Sequence, residues 1–389
     1  MTSTTTQNDL TRRYSYSTRY IADVEVFMER VLAKTIVPHQ LEVQPGRIKG
    51  EALCWMACPY CYGGSAKNTG ERLSPDRLVE VLNQTVAGPH GGIEKLVFAG
   101  YATDPLNYEH IDDLLTTGRD NRQIVGFHTK ALRVSDRFVK QLTRADGHKM
   151  SYFSVSVDAG LSASYNEVHG IQSKAKAYEK VVGNLHRITK ARRETGASLD
   201  VSATYLVTRV NNSSAEVEKS IRDLLDAGVD LIRFSFPQVP RGFESEQGTI
   251  IPSRAEVDEY MSRLPAIVHA ADSERQRVII ADYDAELGID TRRTLPCVAR
   301  FVFPSVGYDG YLGHCSESAA PHFRDMALGN LADRDFWDLY YDYDTQDFWN
   351  YMSDAYTRMD KNDCRCDRKE HAVNSLMSHY LTSRAQTVA

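Results

Sequence analysis

The chain has 389 residues, 42% of them hydrophobic and 25% charged, the balance of a folded protein and not of a disordered, collagen-like or membrane-embedded one. Forty-six Lys plus Arg against 52 Asp plus Glu leave a net charge of -6, so there is no basic field to attract nucleic acid or an anionic membrane. No apolar run reaches membrane-spanning length and the polar stretch Met1–Arg13 lacks a signal-peptide core, so the cytoplasm is the expected location.

At about 150 residues per domain the length predicts two domains or one large barrel with an appendage. Helical spacing of Ile21, Val24, Phe27, Met28 and Val31 predicts a lead-in helix over Tyr20–Leu32, within an N-terminal segment 1–44. From about Leu41 to Pro240, short β-branched runs alternate with amphipathic stretches. Strands are predicted at Lys95–Phe98, Ile124–His128, Tyr152–Val157, Leu199–Leu206 and Leu231–Phe236. The intervening helices are Pro75–Thr85, Val134–Leu142, Ala177–Thr195 and Ala215–Ala227, the last stopped by Gly228. Such β-α alternation requires a parallel sheet with helices outside it, and about six units give a partial barrel more readily than a closed one. A polar loop, Arg241–Ser253, opens a second region with a helix at Arg254–Ala271 and a hairpin turn at Tyr308-Asp309-Gly310. The aromatic and acidic run Asp335–Tyr356 reads as a helical pair packed on the first domain.

Seven cysteines are too few and too unevenly spread for a secreted disulfide framework. Three of them, Cys54, Cys58 and Cys61, form a C-x3-C-x2-C loop after the first strand. Three thiolates hold three irons of a [4Fe-4S] cube and leave the fourth iron open to chelate and reduce a small molecule. Zinc with a distant fourth ligand, or plain burial of small apolar side chains, are the alternatives, and three cysteines in so short a loop argue against packing. The other four fall as Cys297-x17-Cys315 and Cys364-x-Cys366, enough thiolates to complete a second cluster or a zinc site.

The first loop resembles that of the radical S-adenosylmethionine superfamily, whose C-x3-C-x-aromatic-C pattern is matched by Cys54, Cys58, Tyr60 and Cys61. The resemblance implies an α/β fold: a partial (β/α)6 barrel over 45–245, followed by a 246–389 region. It also implies that S-adenosylmethionine is reduced by the cluster to methionine and a 5'-deoxyadenosyl radical. Tyr60 then corresponds to the aromatic residue beside the adenine. Gly100 with Thr103 or Asp104 stands where the methionyl amine is held, and Ser156 and Asp158 correspond to the fourth-strand contacts to ribose and carboxylate. On residue type alone, Ser156 and Asp158 read equally as cap or turn residues, and Lys130 as a solvated lysine. Cys297, the Gly310-to-Cys315 hairpin and Gly329-Asn330 resemble a twitch or SPASM extension, with Cys297, Cys315, Cys364 and Cys366 holding an auxiliary [4Fe-4S] cluster. Four cysteines match the one-cluster twitch type, since a SPASM domain uses seven.

These expectations point to an enzyme acting on a small-molecule substrate, with flavodoxin or ferredoxin as electron donor. Dehydrogenation of a sugar or aminocyclitol alcohol is expected ahead of epimerisation, because every cysteine is assigned to a cluster and none remains as a hydrogen-atom donor. A lyase on a sugar or nucleoside and a maturase of ribosomal peptides are further alternatives. A non-catalytic iron-sulfur or zinc protein does not explain why three thiolates stand at the mouth of a β-α barrel.

Overall fold

Alternation in the amino-acid pattern becomes alternation in space. A computed structural model describes residues 20–46, 56–61, 72–100, 103–145, 150–171, 176–237, 250–273, 277–280, 297–362, 364 and 366–388. Seven strands run parallel in chain order: β1 (Leu41–Val43), β2 (Lys95–Phe98), β3 (Ile124–Thr129), β4 (Ser151–Ser156), β5 (Leu199–Leu206), β6 (Leu231–Ser235) and β7 (Val278–Ile280). On the other side of β1 lies β8 (Ser305–Val306), again parallel, and it continues antiparallel into β9 (Tyr311–Gly313) and β10 (Gly329–Asn330). The sheet therefore carries barrel strands and C-terminal strands as one surface, in the order β10-β9-β8-β1-β2-β3-β4-β5-β6-β7.

A helix α1 (Val24–Leu32) precedes β1, capped by the Asp23 carboxylate, which accepts from the Glu25 and Val26 amides. Helices α2 (Pro75–Thr85), α3 (Ile111–Asp120), α4 (Asp136–Leu142), α5 (Ser162–Val168), α6 (Ala177–Thr195) and α7 (Ser214–Asp226) follow, then α8 (Arg254–Ala271). Their starts are chemically marked: Ser74 with Pro75, Ser135, Ser213 and Ser253 each accept a backbone N–H at the first turn. Gly196, at a φ of 69°, ends α6 in the left-handed conformation that suits glycine. In α2, Leu78, Val81, Leu82 and Thr85 form the buried stripe that faces the sheet.

Which face of the sheet is which follows from aromatic contacts. Phe127 of β3 and Phe153 of β4 both pack on Phe138 of α4, so these positions face the helices. The alternate residues, His128, Tyr152, Ser154 and Ser156, therefore face the concave interior, as do Ser202, Thr204 and Arg233 by the same alternation on β5 and β6. This interior is polar. His128 is exposed on this face, so solvent reaches it.

At the C-terminal side, α9 (Phe336–Tyr340), α10 (Phe348–Lys361) and α11 (Arg368–Val388) complete the fold. The aromatic run packs as expected on the first region: the Trp337 indole N–H donates to the Gln84 carbonyl at 2.8 Å, and Gln84 and Arg77 bond Asp335. Among the described residues no helix is long and apolar enough to cross a membrane.

Candidate functional site

Cys58 and Cys61 share one turn, closed by a bond from the Cys61 amide to the Cys58 carbonyl at 3.0 Å. Cys54, the third cysteine expected to complete the set, lies outside the described residues. The turn is fastened to the end of α5. His169 accepts from the Ala57 amide at 3.0 Å, and a Cβ on Gly170, whose φ is 59°, would stand 2.3 Å from the Ala57 carbonyl. Tyr60 packs with Val168 and Ile250, and Cys58 and Leu206 flank them, so the loop has a small apolar footing of its own.

Asp158 is the hub. It follows β4, is fully buried and takes a φ of 50°. Its Oδ2 accepts from the Lys130 ammonium at 2.8 Å and the Tyr60 hydroxyl at 3.2 Å, and its Oδ1 accepts from the Leu206 amide at 2.8 Å. Asn211 locks the turn by donating to the Asp158 carbonyl at 2.8 Å. Burial, together with Asp158 and Cys58, pushes the Tyr60 phenol well up, so it remains a hydrogen-bond donor. Burial works against the charge on Lys130, yet Asp158, Cys58 and Cys61 outweigh it and hold the ammonium more firmly charged than usual. The expected Tyr60 and Asp158 are thus in direct contact, beside Cys58.

Asp104 occupies a second junction, at the ends of β2 and β3. Its carboxylate accepts from Thr129 at 2.8 and 2.9 Å, the Lys130 amide at 2.6 Å and the Leu106 amide at 2.9 Å. All this capacity serves the protein. The Thr103 hydroxyl beside it is buried and has no hydrogen-bond partner among the described residues. Gly100 lies at the same turn, where a Cβ would collide with the Thr103 carbonyl at 1.5 Å, so the chain passes there only with glycine. Ser156 closes the inner face of β4, two residues before Asp158. Of these expected contacts, Thr103 alone presents a buried unmet polar group. Such an orphan is what a site shaped for a polar ligand leaves in its ligand-free form.

Sequence reasoning did not single out His169. Its Nδ1 lies 3.3 Å from Cys58 Sγ, and its Nε2 3.7 Å from Asp158 Oδ2. Burial first, and Lys130 second, push its imidazole well below the usual range. No motif announces this residue, because the contact arises from α5 returning its C-terminal end to the cysteine turn.

The four C-terminal cysteines are all buried, and none of the six described cysteines is in a disulfide. The Asn374 amide of α11 donates to both Cys297 Sγ and Cys366 Sγ at 3.5 Å, which brings these two thiols onto one group. Cys315 is held through its backbone, its amide donating to Ser318 at 2.9 Å. Cys364 follows α10, its amide bonded to the Met359 carbonyl. Among the described residues no three His, Cys, Asp or Glu side chains already surround a metal position. His314, next to Cys315, has its Nε2 3.0 Å from the Met326 carbonyl.

Residues 52–217 match the Radical SAM superfamily. This stretch is a radical SAM domain. It contains the cysteine turn, Thr103, Asp104, Lys130, Asp158 and His169, and the family's cofactors, a [4Fe-4S] cluster and S-adenosylmethionine, come with it. The thiols of Cys58 and Cys61 and the open Thr103 hydroxyl fit that pair of ligands. The fold of the chain is similar to Streptococcus suis SuiB bound to precursor peptide SuiA, at 14% identity and a TM-score of 0.58, covering 82% of this chain and 68% of that one. It is similar also to SuiB bound to S-adenosylmethionine, at 14% identity and 0.56, covering 82% and 69%. A third likeness is to native anSMEcpe with bound AdoMet and Kp18Cys peptide, at 16% identity and 0.52, covering 80% and 83%. No curated protein matches the chain at a significant level.

Proposed function

We propose that the chain is a radical S-adenosylmethionine oxidoreductase that dehydrogenates a polar substrate held in the barrel lumen. The observation that carries this reading is the cysteine turn fixed against the Tyr60–Asp158–Lys130 network at the strand ends. Cys54, Cys58 and Cys61 would hold the reducing cluster; Thr103 would take the methionyl amine, since Asp104 is committed within the protein, Tyr60 and Ser156 would line the nucleoside side, and Asp158, equally committed to Lys130, Tyr60 and Leu206, would hold that wall in place. Cys297, Cys315, Cys364 and Cys366 would hold a twitch-type auxiliary cluster. When bound, these groups supply a primary carbon radical that removes one hydrogen atom from substrate, and a one-electron acceptor for what remains.

The protein's own part is to bind, orient and exclude water. The lumen offers Ser154, Ser156, Ser202 and Thr204 as hydroxyl partners for a polyhydroxylated substrate. It also offers the solvent-exposed His128 imidazole, whose Nε2 lies 3.4 Å from the Tyr152 hydroxyl, as a proton acceptor. With all seven cysteines assigned to the two clusters, oxidation stands ahead of return of a hydrogen atom from a thiol.

A peptide substrate is the second reading, favoured by the likeness to SuiB with precursor peptide SuiA and to anSMEcpe with a peptide. Anaerobic turnover with panels of sugar and aminocyclitol alcohols, and of short peptides, decides the class. A product two mass units lighter, with one 5'-deoxyadenosine per turnover, is the expected outcome. Incorporation of one solvent deuterium at unchanged composition would establish epimerisation instead.

A further inference from the structure

The sulfur of Cys58 has a buried partner that the proposed reaction does not use. The His169 ring is fully enclosed, packed edge-on against Tyr165 at a centroid distance of 4.3 Å, with Nδ1 3.3 Å from Cys58 Sγ. The same residue's carbonyl binds the Ala57 amide, and its neighbour Gly170 fits closely under the Ala57 carbonyl, so ring and cysteine turn are held as one unit. On the other edge, Nε2 makes no hydrogen bond of good geometry among the described residues, and the Val157 backbone is the ring's further polar neighbour. Asp158 Oδ2 is 3.7 Å away, and that carboxylate is already supplied by Tyr60, Lys130 and Leu206.

A cysteine ligates iron as thiolate and then has no proton to give. The N···S contact at 3.3 Å then persists as an attraction only with the Nδ1–H as donor. Hydrogen bonds to cluster sulfurs draw electron density from iron and favour the reduced state. Outer partners of this kind also fix the ligand's orientation.

Resting on the radical SAM reading, we infer that His169 is a positioning residue whose Nδ1–H holds the Cys58 thiolate and raises the reduction potential of the cluster bound there. The cluster is then poised partly by the protein itself and not by S-adenosylmethionine alone.

The test uses the reconstituted full-length protein without substrate, following the reduced cluster by electron paramagnetic resonance during a dithionite titration. The signal belonging to this site is the one altered on adding S-adenosylmethionine. His169→Phe keeps a ring without an N–H and is expected to shift the midpoint to more negative potential. His169→Gln keeps an amide donor and is expected to lie nearer wild type. Equal midpoints in all three proteins at equal iron content would overturn the inference, as would loss of iron from both variants with unchanged thermal unfolding. Loss of iron from His169→Phe alone would support it. Wild-type protein labelled with [15N]histidine gives an answer that no variant has to fold for: a nitrogen hyperfine coupling in the reduced cluster is expected, and its absence overturns the inference. A wild-type protein that assembles no S-adenosylmethionine-responsive cluster overturns the radical reading itself.

Discussion

Asp158 concentrates at one residue what the barrel mouth needs. Its left-handed backbone turns the chain out of β4, and its two oxygens are shared between an ammonium, a phenol and an amide. Asn tolerates the same backbone, so Asp158→Asn isolates the charge and leaves the buried Lys130 ammonium without its counter-ion. Removing one member of a buried pair costs about 3 kcal/mol, a loss that urea denaturation of the cluster-free protein should read directly. Thr103→Val removes the orphaned hydroxyl with little change of volume. It is expected to weaken S-adenosylmethionine binding about fivefold, or ~1 kcal/mol for one hydrogen bond, measured by calorimetry on the reconstituted protein. Tyr60 and Asp158 each sit in a local sequence pattern, and the structure sets the two in contact. His169 carries no such pattern, since ten residues, including a helix, separate it from Asp158 and only folding sets it against Cys58.

At the scale of elements, the predicted strands β2 to β6 and the helices between them appear because period-two and helical stripes, serine caps and glycine stops agree with one another. Helix α3 escaped the sequence reading: Gly118 interrupts its pattern, and a Cβ there would press on the Val125 and Leu96 side chains at 3.0 and 3.1 Å. The start of α11 was equally hidden, and it brings a charge cluster against β1. Lys369 reaches Glu42 at 3.3 Å and Glu370 at 3.6 Å, while Asp367 and Glu317 lie in the same field. Burial, with Asp367 and Glu42 adding repulsion against the attraction of Lys369, pushes the Glu370 carboxyl up to about 7. An unfolded Glu ionises near ~4.3, so over the interval up to about 7 the folded chain holds a proton that the unfolded chain releases. This contribution to stability is complete below about pH 4.3 and is lost as pH rises through the folded value. Glu370→Gln should therefore match wild type in acid and exceed it by about 3 kcal/mol near pH 8, read from urea midpoints at the two pH values.

Over the whole molecule, the C-terminal region is continuous with the barrel, since β8 pairs directly with β1 and α9 packs on α2. The cysteine spacings revealed two groups but not this continuity, because β8, β9 and β10 are two or three residues long and carry little periodicity. Cys315→Ala is expected to remove about four irons per chain while leaving S-adenosylmethionine cleavage intact, as read by iron analysis alongside 5'-deoxyadenosine. Loss of both activities together would mean that the two cysteine groups depend on each other structurally. The central claim is that Cys58 belongs to a cluster that cleaves S-adenosylmethionine, and chromatography of 5'-deoxyadenosine after anaerobic incubation with dithionite tests it most directly. Reconstituted wild-type protein is predicted to form 5'-deoxyadenosine and Cys58→Ala none; formation at the wild-type rate in the variant, or none in a fully loaded wild-type protein, would contradict the account.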